Sequence, residues 1–300
     1  MTPPSSLFRP VVGLFIALAV ALTAACADST PRVEEAAPEV RFDPVLHDLL
    51  PQSVLDRGVI RIGTDASYAP MSSFGQDGRT IVGMEPDLGA DIGRVLGVSV
   101  EFVNADFTKL LSQVANGDLD LAMSAMTDTA ARAKQADFVN YFSAGTSIVV
   151  QRGNPAGVTG IRDLCGQVVA VERGTTQVDL LGRAQPNCPG EPIDVKTYPT
   201  NSDALVQLRT GRAVAVLNDL PPAVFLVNDP RTESHYQLAS TATYEPGLYG
   251  IVVAKSQPGL RAAVHRALAK LLRKGVYADV LERWDVSDGA IDRITINSNR

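Results

Sequence analysis

Three cysteines, three histidines and one tryptophan are all that this chain of 300 residues has of those types, and each shortage narrows what it can do. The histidines, His47, His235 and His265, sit in unrelated segments and share no metal-ligand spacing. Neither HExxH nor G-x-S-x-G occurs, so zinc-protease and α/β-hydrolase chemistry have no carrier. Lys and Arg are dispersed without a basic block, and the formal net charge is −6, which leaves nucleic-acid binding without support. No internal repeat is evident. The apolar run near the start, Val11 to Ala25, is fifteen residues long and short for a membrane span. What remains is an ordinary globular composition, 45% hydrophobic and 20% charged, unlike that of a disordered chain.

The early run follows a lone charge, Arg9, and suits the apolar core of a signal peptide, so residues 1–25 are expected to stand outside the fold. It ends in Leu22-Thr23-Ala24-Ala25-Cys26, which resembles a bacterial lipobox, with Thr23 where leucine is preferred. The resemblance implies that Cys26 is lipidated and anchors the chain to the outer face of the cell membrane. The other reading is plain export. With Cys26 so used, Cys165 and Cys188 are left to pair in an oxidising compartment. Residues 26–57 read as a lipidated N-terminus and tether. The stretch ADSTPRVEEAAPEV (27–40) is polar and punctuated by prolines, and a short helix, or two pieces broken at Pro51, lies between Leu46 and Leu55.

From Val59 onward, short apolar strands alternate with helical stretches. Strands are expected at 59–63, 98–103 and 120–125, with helices at 86–97, where Leu88, Ile92, Val95 and Leu96 share a side, and at 107–117. The pattern restarts after Ser147. Strands are expected at 148–152, 167–171, 193–198, 213–217 and 249–255, and helices at 176–184, 202–211, 221–228, 259–274 and 276–284. This alternation implies two α/β units of about 100 residues each, with no linker between them, so crossing strands are expected to join them.

Within SAMTDTAARAKQADF (124–138), Arg132 falls in the first turn of an expected helix capped by Thr129. A helix start repels a cation and attracts an anion. With the hydroxyls of Ser124 and Thr127 just upstream, the spot suits a ligand carboxylate, which a planar guanidinium grips with two hydrogen bonds. A surface ion pair with Asp128 or Asp137 is the plainer alternative. Other polar loops also sit at strand C-terminal ends, where open α/β sheets bind ligands: IGTDASYAPM (62–71), ADFTKL (105–110), VERGTTQ (171–177) and VLNDLPPA (216–223).

Taken in order, IGTDASYAP, GMEPDLGADI, DFTKLLSQVANGDLDLAMSAMTDTAARAKQADF, VAVERGTTQ and AVLNDLP resemble the extracytoplasmic solute-binding proteins of family 3, which serve polar amino-acid ABC transporters. The likeness spans about Val59 to Trp284. It implies a two-lobed, type II periplasmic-binding-protein-like α/β fold, each lobe a mixed, mostly parallel sheet flanked by helices, with two hinge crossings. Lobe 1 would hold residues 58–145 and 244–300, and lobe 2 residues 146–243.

The resemblance also implies roles. Arg132, with Ser124, Ala125 and Thr127, would hold an α-carboxylate. Asp219 would take the α-ammonium, helped by groups near Thr175, Thr176 and Gln177. Tyr68 and Phe107 would sandwich the aliphatic part, while Asp65 and Glu172 would face the ligand's side chain. Met71 stands where the family often has an aromatic residue, implying a softer pocket wall. The implied activity is capture of a free amino acid for a membrane permease by a monomer needing no cofactor. Two acidic groups favour a cationic side chain (arginine, lysine or ornithine), with glutamine as the neutral alternative. Rival readings are a dehydratase acting on prephenate or arogenate on the same scaffold, with Glu172 or Asp65 as general acid, and a ligand sensor docking on a membrane receptor.

Overall fold

The computed structural model describes residues 40–298; the expected signal peptide and Cys26 lie outside them. Helices α1 (Pro44–His47) and α2 (Gln52–Arg57) flank Pro51, so the expected break there is present. Strand β1 (Val59–Thr64), rich in β-branched residues, opens the main sheet. A small antiparallel sheet, not anticipated from sequence, follows: β2 (Ser67–Tyr68), β3 (Ser72–Phe74) and β4 (Ile81–Val82).

Helix α3 (Met84–Leu96) buries Leu88, Ile92, Val95 and Leu96, the side its spacing predicts. It packs against β5 (Ser99–Asn104), which lies parallel to β1 along all six residues. The two glycines inside α3 are the reason the layers can approach so closely. A Cβ on Gly89 would fall 2.7 Å from the Phe102 ring, and one on Gly93 2.7 Å from the Val100 side chain. A 3₁₀ turn (Phe107–Lys109), capped by Asp106, leads into α4 (Leu110–Asn116), which ends at left-handed Gly117. Strand β6 (Leu121–Ala122) is shorter than the expected 120–125. The chain leaves the sheet just beyond it, and Ala125 adopts a left-handed φ of 46°.

Strand β7 (Asp137–Gln151) is fifteen residues long, where the sequence predicts only 148–152. Three further strands lie past it: β8 (Val168–Glu172), β9 (Asp194–Tyr198) and β10 (Ala215–Asp219). Helices α5 (Thr176–Ala184), α6 (Asn201–Arg209) and α7 (Leu220–Asn228) alternate with them. Pro221 and Pro222 sit in the first turn of α7, where backbone N–H groups have no partner to lose. After β11 (Tyr236–Leu238) comes β12 (Tyr244–Val253), longer than expected by five residues at its start. Helices α8 (Pro258–Arg273) and α9 (Val276–Arg283) and the short β13 (Thr295–Ile296) follow.

The main sheet runs β5-β1-β6-β12-β7-β10-β8-β9, with β11 and β13 paired to β7. β12 pairs antiparallel mainly with the first part of β7, and β10 antiparallel with its last part. β7 and β12 are therefore the two crossings of a two-lobed α/β fold. One group of apolar clusters packs around β1, β6, α3, α4, α8 and α9, and another around β8, β10, α5 and α6.

Cys165 and Cys188 form a disulfide, as their arithmetic implies. It joins the ends of two 3₁₀ turns, Ile161–Leu164 and Gln185–Asn187, on either side of β8 and α5. Closing a loop with a sequence separation of 23 restricts the unfolded chain by about 3 kcal/mol. Replacing both cysteines (Cys165→Ser with Cys188→Ser) is expected to lower the unfolding free energy by about that amount in urea denaturation.

Candidate functional site

Two parallel pairs of strands that run in opposite senses, β1 with β6 and β8 with β10, bring their C-terminal ends to one place, and the segments leaving them line one cavity. Its free space is about 20 Å³, room for about one water molecule, so the lining side chains lie close together. Eleven of the twelve ligand-site residues named from sequence line it. Tyr68, Phe107, Ser124, Ala125, Thr127 and Arg132 come from segments that follow β1, β5 and β6, and Glu172, Thr175, Thr176, Gln177 and Asp219 from the ends of β8 and β10 and the start of α5.

Arg132 does not start an α-helix. Residues Arg132–Lys134 form one 3₁₀ turn, and the chain then enters β7. A single turn has too few aligned peptides to build a substantial dipole, so that part of the expectation is corrected. Thr129 still supports the turn: its hydroxyl accepts from the Arg132 amide at 3.3 Å and its carbonyl from the Ala133 amide at 2.8 Å. The guanidinium is aimed by two backbone carbonyls, donating from Nη1 to Thr127 O and from Nη2 to Gly174 O, both at 2.8 Å. It also lies over the Phe107 ring, 5.5 Å from its centroid. Burial pulls its pKa below the usual arginine range. Asp137, one of its possible ion-pair partners from sequence, pairs with Lys255 and Arg261.

Asp219 closes the opposite end. Its carboxylate accepts from Tyr249 OH at 2.6 Å, Gln177 Nε2 at 2.7 Å and Tyr68 OH at 3.2 Å. Its amide donates to the same Tyr68 oxygen at 2.9 Å. Burial pushes its pKa up to about 6, against the hydrogen bonds that lower it. Tyr249, fully buried and stacked on Phe142, escapes the sequence reading because it looks like one more apolar residue of a strand.

Glu172, at the end of β8, is 7% exposed, and its Oε1 has no hydrogen-bond partner among the described residues. Burial, then the charges of Asp65, Asp106 and Asp219, raise its pKa to about 9. Asp65 is the named residue that does not line the cavity. Its carboxylate accepts from the Ser67 amide at 2.9 Å, and its own amide donates to Ser124 Oγ at 2.9 Å. One oxygen of this aspartate is thus spent on its own turn. Met71 also departs from expectation, lying fully buried in the core and outside the lining.

Under the floor sits Glu85, which sequence reasoning missed. It accepts from the Ala125 amide at 2.6 Å, from Ser72 Oγ at 2.6 Å and from Tyr141 OH. These bonds hold Ala125 in its left-handed conformation, and with it the turn that presents Ser124 and Thr127. Glu85 lies within the quoted GMEPDLGADI, where it reads as an ordinary helix-start acid. Chemically, then, the cavity offers a guanidinium at one end and an aspartate at the other, with two aromatic side chains and a second carboxyl group between them.

A family model described as "Bacterial extracellular solute-binding proteins, family 3" matches residues 60–287. The chain is 26% identical to the arginine-binding protein ArgT of Corynebacterium glutamicum over 258 residues, covering 85% of this chain and 83% of that one. It is 27% identical to the L-cystine-binding protein TcyJ of Escherichia coli, covering 78% and 85%. A solved structure of an ancestral arginine-binding protein bound to glutamine superposes with a TM-score of 0.70 at 31% identity, covering 77% of this chain and 99% of that one. These relatives are binding proteins.

Both raised carboxyl groups bind protons more tightly in the folded chain than in the unfolded one, where their values lie near 4. The resulting stabilisation is complete below about pH 4. It is lost as pH rises through about 6 for Asp219 and about 9 for Glu172. The unfolding free energy of the ligand-free protein is therefore expected to fall between pH 5 and pH 8, by about a kcal/mol per pH unit for each titrating group. Urea titrations at pH 5, 6.5 and 8 measure this, and Glu172→Gln is expected to flatten the part above pH 6.5.

Proposed function

Because the chain belongs to the bacterial extracellular solute-binding proteins of family 3, we propose that it captures a free amino acid outside the cell and delivers it to an ABC permease. The observation that carries this reading is the pair of opposite charges lining one cavity from opposite lobes, Arg132 and Asp219. In this reading lobe 1 comprises residues 58–145 and 244–300, and lobe 2 residues 146–243. Arg132, with Ser124 and Thr127, binds the α-carboxylate. Asp219 takes the α-ammonium with Gln177, Thr175 and Thr176 beside it, and Tyr68 and Phe107 hold the aliphatic carbons.

A zwitterion placed so makes more contacts with the lobes closed than open, and binding shifts the equilibrium toward closure. An affinity near 1 μM needs about 8 kcal/mol net. Two charge-assisted anchors between aromatic walls supply much of it. With Asp65 outside the lining, Glu172 is the lining residue that favours a cationic side chain, that of arginine, lysine or ornithine, over glutamine. In this reading the protein acts as a monomer held to the outer face of the cell membrane by a lipid on Cys26.

Titration calorimetry with L-arginine tests the anchors. Arg132→Ala and Asp219→Asn are each expected to weaken binding by about a hundredfold or more, since each leaves a ligand charge buried without its partner. Circular dichroism is expected to report an unchanged fold. Undiminished affinity in either variant overturns the assignment.

A further inference from the structure

The carboxyl group of Glu172 is the polar side chain of the cavity whose position the rest of the site does not explain. Arg132 and Asp219 each meet complementary partners, whereas Glu172 Oε1 meets none. The charged and titratable groups around it are mostly acidic. Asp65 and Tyr68 come from the β1–β2 segment, Asp106 from the turn before α4 and Asp219 from β10. Arg132 faces the same cavity from lobe 1 but is engaged with two carbonyls and the Phe107 ring. The next residue along the chain, Arg173, is exposed, and from α6 Asn201 supplies only a backbone hydrogen bond. No neighbour thus supplies a cation to a carboxylate at this position. Water cannot readily compensate, because the residue is 7% exposed.

We propose that Glu172 reads the charge of the ligand's side chain, staying protonated around a neutral one and becoming a carboxylate around a cationic one, with release of its proton to solvent. The inference rests on the amino-acid-binding reading above and goes beyond it by assigning the discrimination to one residue. Asp65 is unsuited to the task, since its carboxylate is committed to the Ser67 amide and lies outside the lining. With Glu172 titrating near pH 9 in the ligand-free protein, a cation must displace a proton at neutral pH. Its affinity then rises with pH by up to about tenfold per unit below that value. A neutral side chain asks for no such ionisation.

Calorimetry of the full-length protein at pH 7.5, in HEPES and in Tris, counts protons from the dependence of the binding heat on buffer ionisation enthalpy. L-arginine is expected to release about one proton more than L-glutamine, and its Kd to tighten by up to about tenfold per unit from pH 6.5 to 8.5 while that of glutamine stays level. Asp219 meets the α-ammonium of either ligand, so any proton it contributes cancels in the difference. Glu172→Gln is expected to abolish the extra proton and the pH slope for arginine while still binding glutamine; Asp65→Asn is expected to keep the extra proton. The proposal is overturned if arginine releases no more protons than glutamine, or if the extra proton survives Glu172→Gln. Glutamine binding without arginine binding also overturns it and leaves the amino-acid-binding reading standing. Binding of no amino acid removes both.

Discussion

Asp219 is a buried carboxylate satisfied by neutral donors. Two tyrosine hydroxyls and one amide converge on it from β2, β12 and α5. A lone carboxylate moved out of water costs several kcal/mol, and three well-placed donors recover much of that. Neutral donors supply hydrogen bonds without cancelling the charge. The group therefore keeps a field that favours a cation in the cavity, while its geometry is fixed before any ligand arrives. Two of the donors belong to elements on the far side from β10, so the same contacts that hold the aspartate also bring the lobes together.

Opposite it, Arg132 follows the complementary logic. Its two carbonyl partners orient the fork without neutralising it, and one of them, Gly174 O, belongs to the loop before α5. That loop comes close enough for a Cβ on Gly174 to meet the Thr108 methyl at 2.9 Å, and its φ of 79° is one that L side chains rarely adopt. Glycine is thus required twice at this position, by conformation and by proximity. The cavity is assembled from charged groups held by dipoles, a form of preorganisation that leaves each charge available to a ligand.

Much of this was legible in the sequence, and the exceptions have physical causes. Helix α5 has the expected bounds, and α3 buries its predicted side, because Leu88, Ile92, Val95 and Leu96 recur at helical spacing. The ends of β8 and β10 were readable to within one or two residues, because apolar runs stop at Val171 and Leu217, just short of Glu172 and Asp219. The long strands were not. Residues 137–147 carry Asn140 and Ser147 at fully buried positions, and these polar side chains break the apolar pattern that marks a buried strand. Asn140 donates to Asp128 and accepts from Thr295. Tyr249 and Glu85 were hidden for a related reason. Their importance lies in what they touch across about 30 and 40 residues of chain, and local periodicity carries no record of that. Arg132 was correctly singled out for a reason that failed in part, since its turn is too short for the dipole argument.

The shared strands constrain how such a molecule can move. β7 and β12 cross the midline side by side, and between Tyr244 and Gly247 their register slips, with Glu245 at a φ of 47°. Gly145 packs so tightly there that an added Cβ would sit 3.2 Å from the Tyr244 carbonyl. Two ribbons roughly 4.8 Å apart resist sliding and splaying far better than they resist torsion about a line drawn across them. The pivot is a few residues long and the lever is the whole width of a lobe, so small dihedral changes at the crossing become ångströms of gape at the rim. In such a scaffold the crossing is where the two halves bend most easily.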